Sequence, residues 1–328
     1  MVVSMNTIKK RKVVLFLFLS CLICIIILYL SSVNWNYSDT CISNDPIITM
    51  KTVVNKLCSD EFEGRLIGSQ GNALAEKYIN DIFNDIGLEK FGQDGFYLSF
   101  PCKVRSVDIT ANNIIGKISG LNHSKAIVLS AHFDHIGKDG ENIYRGAIDN
   151  ASGIAVLIQL ASYLKSDSLN NLFEYDIVFA AFNYEEKGII GSEYFADKFI
   201  GSHYDEIINI NIDSIGYKES KNVVFFNTYN TLKKLKFNDK HMNLINNIKL
   251  SLNKYEIDSF AKELGVGSDD YGFQKNGYTS ITISEENIRD IIHTTADNPE
   301  MIDYSRLNRI VNSLRYFINT YTGELFIE

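Results

Sequence analysis

Five short apolar runs, Asn113–Ile118, Ala126–Ala131, Asp176–Phe182, Ile207–Ile212 and Val223–Phe226, alternate with stretches of helical period in this 328-residue chain. Several are apolar on both faces, which is the pattern of strands covered above and below rather than half exposed. Between Ala73 and Ile86 the residues Ala75, Tyr78, Ile79, Ile82, Phe83 and Ile86 recur at helical spacing, and Gly87 supplies a stop. A last helix is predicted over Tyr304–Tyr321, with Leu307, Ile310, Val311, Leu314, Phe317 and Ile318 inward. The alternation predicts an α/β domain, a sheet covered by helices.

Ahead of it, Lys9, Lys10, Arg11 and Lys12 precede an uncharged apolar run from Val13 to Val33, long enough to span a bilayer. The reading is a cytoplasmic basic segment at 1–12, a transmembrane signal-anchor at 13–33, a linker at 34–47 and a folded domain at 48–328. Basic residues stay in the cytoplasm, so the domain is expected on the other side, periplasmic or extracellular. A cleaved signal peptide, which would release a secreted domain, has a shorter apolar core of about 7–15 residues, and Ser31-Ser32-Val33 matches its cleavage site poorly. A lipoprotein site at Cys21 is disfavoured because the apolar run continues past it. Cys21 and Cys24 fall inside that run; in an oxidising compartment one pair among Cys41, Cys58 and Cys102 could bridge. A net charge of -8 with a pI near 5.4 argues against nucleic acid, whose phosphates require clustered Lys and Arg.

Open α/β sheets bind ligands beyond the carboxyl ends of their strands. Three of the apolar runs exit into metal-binding residue types: Ala126–Ala131 into His132-Phe-Asp134-His135, Asp176–Phe182 into Asn183-Tyr-Glu185-Glu186, and Ile207–Ile212 into Asp213. A fourth cluster, Gly146-Ala-Ile-Asp149-Asn150-Ala-Ser-Gly153, opens a helix. Each alone has a plainer explanation: an Asp at a helix start usually caps it, a Glu pair usually faces solvent, and an isolated His is usually structural. His123, His203 and His241 are read that way, and His135 as a packing or solvent-facing neighbour. Imidazoles and carboxylates at successive strand exits are another matter, because that donor mixture suits zinc.

Taken together, Ala131-His-Phe-Asp-His-Ile-Gly137, Gly146–Gly153, Phe182-Asn-Tyr-Glu-Glu-Lys-Gly188, Asn211-Ile-Asp213, Ser268-Asp269 and His293-Thr294 resemble the co-catalytic zinc aminopeptidase family, which includes bacterial leucyl aminopeptidase, aminopeptidase Y and the glutaminyl cyclases. The likeness extends upstream through Phe62-Glu-Gly-Arg65, Gly68-Ser69 and Asn112–Gly116, over roughly residues 50 to 325. It implies a single mixed, mostly parallel central sheet covered by helices on both faces. It also implies two zinc ions, with His132 and Asp213 on one, Glu186 and His293 on the other, and Asp149 between them. Glu185 would be the general base, Asp134 would orient His132, and a cis peptide would join Asp149 to Asn150.

The chain departs from the family pattern at Asp270, where members often carry His, and at Gly265, where some carry an oxyanion-binding Tyr. The resemblance points to hydrolysis of peptide substrates from the amino terminus. A glutaminyl cyclase works on the same fold with one zinc, and the full ligand set with Asn211–Gly216 favours hydrolysis over it. Carboxypeptidase or dipeptidase specificity is a variant of the same hydrolysis, and an inactive binding ectodomain like the transferrin receptor would have lost ligands that are present here.

Overall fold

The apolar runs lie at the heart of one nine-stranded sheet. The computed structural model describes residues 45–228, 233, 236–262 and 267–321, without the side chains of 47 and 48. The basic segment, the predicted membrane span, most of the predicted linker, Cys41 and Gly265 lie outside the described residues. The helices are α1 (Pro46–Leu57), α2 (Gln70–Ile86), α3 (Ser152–Ser168), α4 (Ile190–Tyr194), α5 (Asp239–Lys254), α6 (Asp270–Lys275) and α7 (Tyr304–Tyr321). The strands are β1 (Glu89–Lys90), β2 (Tyr97–Val104), β3 (Val107–Ile118), β4 (Asn122–His132), β5 (Lys138–Asp139), β6 (Asn142–Ile143), β7 (Tyr175–Phe182), β8 (Glu206–Ile212), β9 (Asn222–Phe226), β10 (Asp258–Ala261) and β11 (Thr279–Glu285).

The sheet order is β1-β3-β7-β4-β8-β11-β9-β10, with β2 paired to β3; β5 and β6 form a separate pair. The block β7-β4-β8-β11 is parallel, as is β9 with β10, while β1–β3, β2–β3, β3–β7 and β11–β9 are antiparallel. The sheet is mixed, as expected, with its parallel part at the centre, but parallel pairings do not outnumber antiparallel ones. One cause is local: β2 and β3 are joined by Arg105-Ser106 alone, both at positive φ (48° and 68°), a tight hairpin that forces antiparallel pairing.

Both faces of the central strands are buried, as the runs imply. Ile127, Leu129 and Ala131 of β4 pack into one core with α1, α2, α3, α5 and α7, while Ala126 and Val128 face a second with Phe195 and Phe273. Burial of such side chains contributes about 1.5–3 kcal/mol each. The stretch Ala147–Ser168 has the length and apolarity of a membrane helix, yet 89% of its apolar window is buried inside the protein, the setting of a core helix.

The central strand β11 escapes the apolar-run criterion. In β11, Ser280 and Thr282 alternate with Ile281 and Ile283, and all four are buried. The hydroxyls donate to Asn209 at 2.7 Å and Asp270 at 2.8 Å, so polar residues sit inside without an unpaired group. Asp270 also accepts from the Thr228 amide and hydroxyl, which gives the residue that replaces the family's His a structural use. Cys58 and Cys102 are free, so that pair is not bridged. Cys58 is buried, with its thiol donating to the Arg145 carbonyl at 3.4 Å, and burial pushes it up to about 12.

Arg65 ties the loops beneath the strand exits together. Its fully buried guanidinium donates to the carbonyls of Leu57, Phe133, Arg145 and Gly146 at 2.7–2.9 Å. It follows Gly64, whose φ of +67° and whose approach to the Gly137 and Tyr144 carbonyls, 2.2 and 2.4 Å from where a Cβ would sit, exclude any side chain. Arg65→Met keeps the apolar stem but strands buried acceptors that no water reaches. The expected cost is about 3 kcal/mol or more, read in chemical denaturation as a lower midpoint at unchanged slope. An unchanged midpoint would show that the four carbonyls find other donors.

Candidate metal centre

β4, β7 and β8 run parallel as neighbours, so the residues that follow them emerge on one side of the sheet. His132 is the last residue of β4, Glu185 and Glu186 lie in the turn after β7, and Asp213 follows β8 directly. Asp149 comes from the irregular turn Ala147–Ala151 that leads into α3, and His293 from the loop after β11. The Asp149–Asn150 peptide is cis.

These side chains meet as two groups that share one residue. His132 Nε2 lies 3.3 Å from Asp149 Oδ1 and 3.5 Å from Asp213 Oδ1. His293 Nε2 lies 2.9 Å from Asp149 Oδ2 and 3.0 Å from Glu186 Oε2. The two oxygens of Asp149 thus face different imidazoles. The donor groups are His132, Asp149 and Asp213 on one side, and His135, Asp149, Glu186 and His293 on the other.

The turn carrying the glutamates is fixed from beneath. Asn183 caps it, accepting from Tyr184 N while its own N–H donates to Asn113 Oδ1, and its amide bonds Asn72 and Glu76. The carboxylate of Asp134 accepts from the amides of Glu185 at 3.0 Å and Glu186 at 3.3 Å. Asp134 meets the other nitrogen of His132, Nδ1, through its backbone carbonyl at 3.2 Å, while its carboxylate stands 3.7 Å from the same atom. Asp213 is held by the hydroxyls of Ser268 at 2.6 Å and Ser214 at 2.9 Å.

Three residues were given no role from sequence. His135, read from sequence as a packing or solvent-facing neighbour, is fully buried, and its Nδ1 lies 2.6 Å from Glu186 Oε1. Asp297 accepts from the amides of Ile148 at 2.7 Å and Asp149 at 3.2 Å, supporting the turn that presents Asp149. Asp269 is buried beside His132 and Asp213, and burial pushes its carboxyl up to about 7. The available signals were slight: a second His in His-Phe-Asp-His, and an Asp four residues beyond His293.

The electrostatics are those of a cation site. Burial opposes ionisation of Asp149, but hydrogen bonds from His132 and His293 outweigh it and hold the carboxyl well below its usual range. Burial likewise raises Glu185 well above the ordinary carboxyl range, reinforced by Asp213, Asp269 and Glu186 and opposed by His132. Hydrogen bonds to Asp149 and Glu186 lift His293 to about 10. Asp134, Asp149, Asp213, Asp269, Glu185 and Glu186 crowd around three imidazoles, and among the described residues no Lys or Arg pairs with any of these acids. So much buried negative charge requires cations, and imidazole with carboxylate donors fits zinc.

Protons replace metal when it is removed, which fixes a pH dependence. Raised His293 stabilises the fold fully below 6.5 and loses that contribution as pH climbs toward about 10. Asp134 and Asp269, raised to about 6 and about 7, act in the same direction, because folding favours their protonated forms. Depressed Asp149 and Glu186 act oppositely, but their contributions are lost only as pH falls below 3.8 and 4.5. In chelator, the melting temperature is expected to fall between about pH 5 and 9, while added zinc stabilises increasingly over that range as its donors lose their protons. A flat or rising profile in chelator would contradict this electrostatic picture.

The model of Peptidase family M28 matches residues 113–318. Aminopeptidase YwaD of Bacillus subtilis is 27% identical over 210 residues, 61% of this chain and 42% of that protein. The chain spans less than half the length of the curated relatives it matches. Among solved structures, the glutaminyl cyclase of Fimbriiglobus ruber superposes with a TM-score of 0.68 at 18% identity, covering 84% of this chain and 94% of that one. A zinc aminopeptidase of Bacillus subtilis superposes with a TM-score of 0.67 at 15% identity, covering 86% and 96%. These structural likenesses bear on the fold, a mixed sheet flanked by helices. The family match covers more than half of the chain and includes every strand exit that contributes to the donor groups, so the chain belongs to Peptidase family M28.

Proposed function

We propose that the domain at 48–328 is an aminopeptidase with two zinc ions, held by His132 with Asp213 and by Glu186 with His293, and sharing Asp149. The observation that carries the reading is the division of Asp149, with one carboxylate oxygen toward His132 and the other toward His293. Zinc there would polarise the scissile carbonyl and make water a stronger nucleophile near neutral pH.

The chain's own residues supply the proton traffic. Glu185 sits beside a donor residue but belongs to neither donor group. Its carboxylate would take a proton from the attacking water and pass it to the leaving nitrogen as the C–N bond breaks. Burial raises its affinity for that proton, which suits a group that must both accept and release it. The Asp134 carboxylate, by gripping the Glu185 and Glu186 amides, holds the acid–base group and a metal donor at fixed spacing.

Preference for the amino terminus rests on charge. A terminal ammonium is drawn into a site crowded with Asp213, Asp269 and Glu185. A terminal carboxylate would be repelled, and among the described residues no Lys or Arg pairs with the site acids to receive it. The relative named aminopeptidase YwaD supports the same choice. Cyclisation of amino-terminal glutamine is the second reading, supported by the likeness to a solved glutaminyl cyclase.

Assays with free, amino-blocked and glutaminyl peptides separate these readings. Release of residues from free amino termini alone is expected, and ring closure without hydrolysis would select the cyclase. Glu185→Gln should lower kcat by about 10²–10⁴-fold while zinc content and KM change little. Near-normal kcat in that variant, or loss of its zinc, would remove Glu185 from the proposed role.

A further inference from the structure

We infer that His135 is a positioning residue of the metal centre, which sets the rotation of the Glu186 carboxylate through a hydrogen bond from Nδ1. The inference rests on the reading of Glu186 as a zinc ligand.

The two oxygens of Glu186 have separate partners. Oε2 lies 3.0 Å from His293 Nε2, on the side shared with Asp149, and Oε1 lies 2.6 Å from His135 Nδ1. An ionised carboxylate only accepts hydrogen bonds, so Nδ1 carries the proton of this contact. Nε2 is buried and has no hydrogen-bond partner among the described residues. A buried imidazole that leaves one nitrogen unpaired is held for the sake of the other. A carboxylate with one free oxygen can turn about its final bond and present either oxygen, or both, to a cation. Tying Oε1 to His135 removes that freedom and leaves Oε2 aimed at the shared side.

The ring itself has no room to turn. It packs against Gly146, where a Cβ would come within 2.6 Å of His135 Cγ and Cδ2, so only glycine fits beside it. The Gly146 carbonyl accepts from Arg65, and the His135 amide donates to the Arg65 carbonyl at 3.3 Å. Arg65 thus braces the ring from two sides, and through it the oxygen that Glu186 turns toward His293. Such outer contacts typically change metal affinity by about 10–100-fold.

The test is zinc retention by the purified full-length chain against a chromophoric chelator, with no substrate present. Asn places an N–H donor near the position of Nδ1, Gln reaches instead toward that of Nε2, and Leu fills the volume with no donor. His135→Asn should hold zinc within a few-fold of wild type. His135→Gln and His135→Leu should release one of the two ions at roughly 10–100-fold lower chelator concentration. If the leucine variant fails to fold, the Asn and Gln pair carries the comparison. Equal retention by all three variants, with only melting temperatures changed, would reduce His135 to packing and overturn the proposal. Loss of the ion from the asparagine variant as readily as from the leucine variant would make the ring a direct ligand and overturn it equally. A wild-type chain that retains zinc but cleaves no peptide would defeat the aminopeptidase reading alone.

Discussion

A single buried carboxylate facing two imidazoles is the constraint on which the rest of this structure depends. Asp149 cannot satisfy both His132 and His293 unless its backbone is held at one height and one rotation above the sheet. Asp297 grips its amide, and the amide of Asn150 bridges to the Ile212 carbonyl at 2.9 Å beside Asp213. The parallel strands β4, β7 and β8 then deliver the opposing donors at fixed spacing. The same concentration of acids that makes the site costly to fold without cations makes it a strong binder of them.

Rigidity comes from beneath the donors rather than from the donors themselves. Asp134 holds the glutamate turn, Asn183 caps it, Ser268 and Ser214 hold Asp213, and Arg65 ties together the carbonyls of four loop residues. Each of these groups is buried, so each hydrogen bond lost would leave a polar atom without water.

Much of the fold was legible because the central strands carry largely apolar runs, and because α2 and α7 keep their inward residues at helical spacing. β11 was not legible. Its inward Ser280 and Thr282 are buried by pairing with Asn209 and Asp270, residues remote in sequence, so no local pattern distinguishes them from surface. His132, Glu186, Asp213 and Asp149 could be picked out because they follow the strands or open a helix, and His293 only through the family resemblance; the structure brings the five together. The supporting residues could not be assigned that way. The resemblance implied that Asp134 orients His132; its carbonyl meets that ring, while its carboxylate reaches across to the turn after β7. Whether His135 faces solvent or Glu186 likewise depends on how β4 and β7 align, which is a property of the sheet and not of either segment.

Diffraction from zinc-soaked crystals, recorded on both sides of the zinc absorption edge, addresses the shared carboxylate most directly. Two anomalous peaks are expected, one between Asp149 and the His132–Asp213 pair and one between Asp149 and the Glu186–His293 pair. A single peak, or a second one away from Asp149, would contradict the division of that carboxylate between two metals.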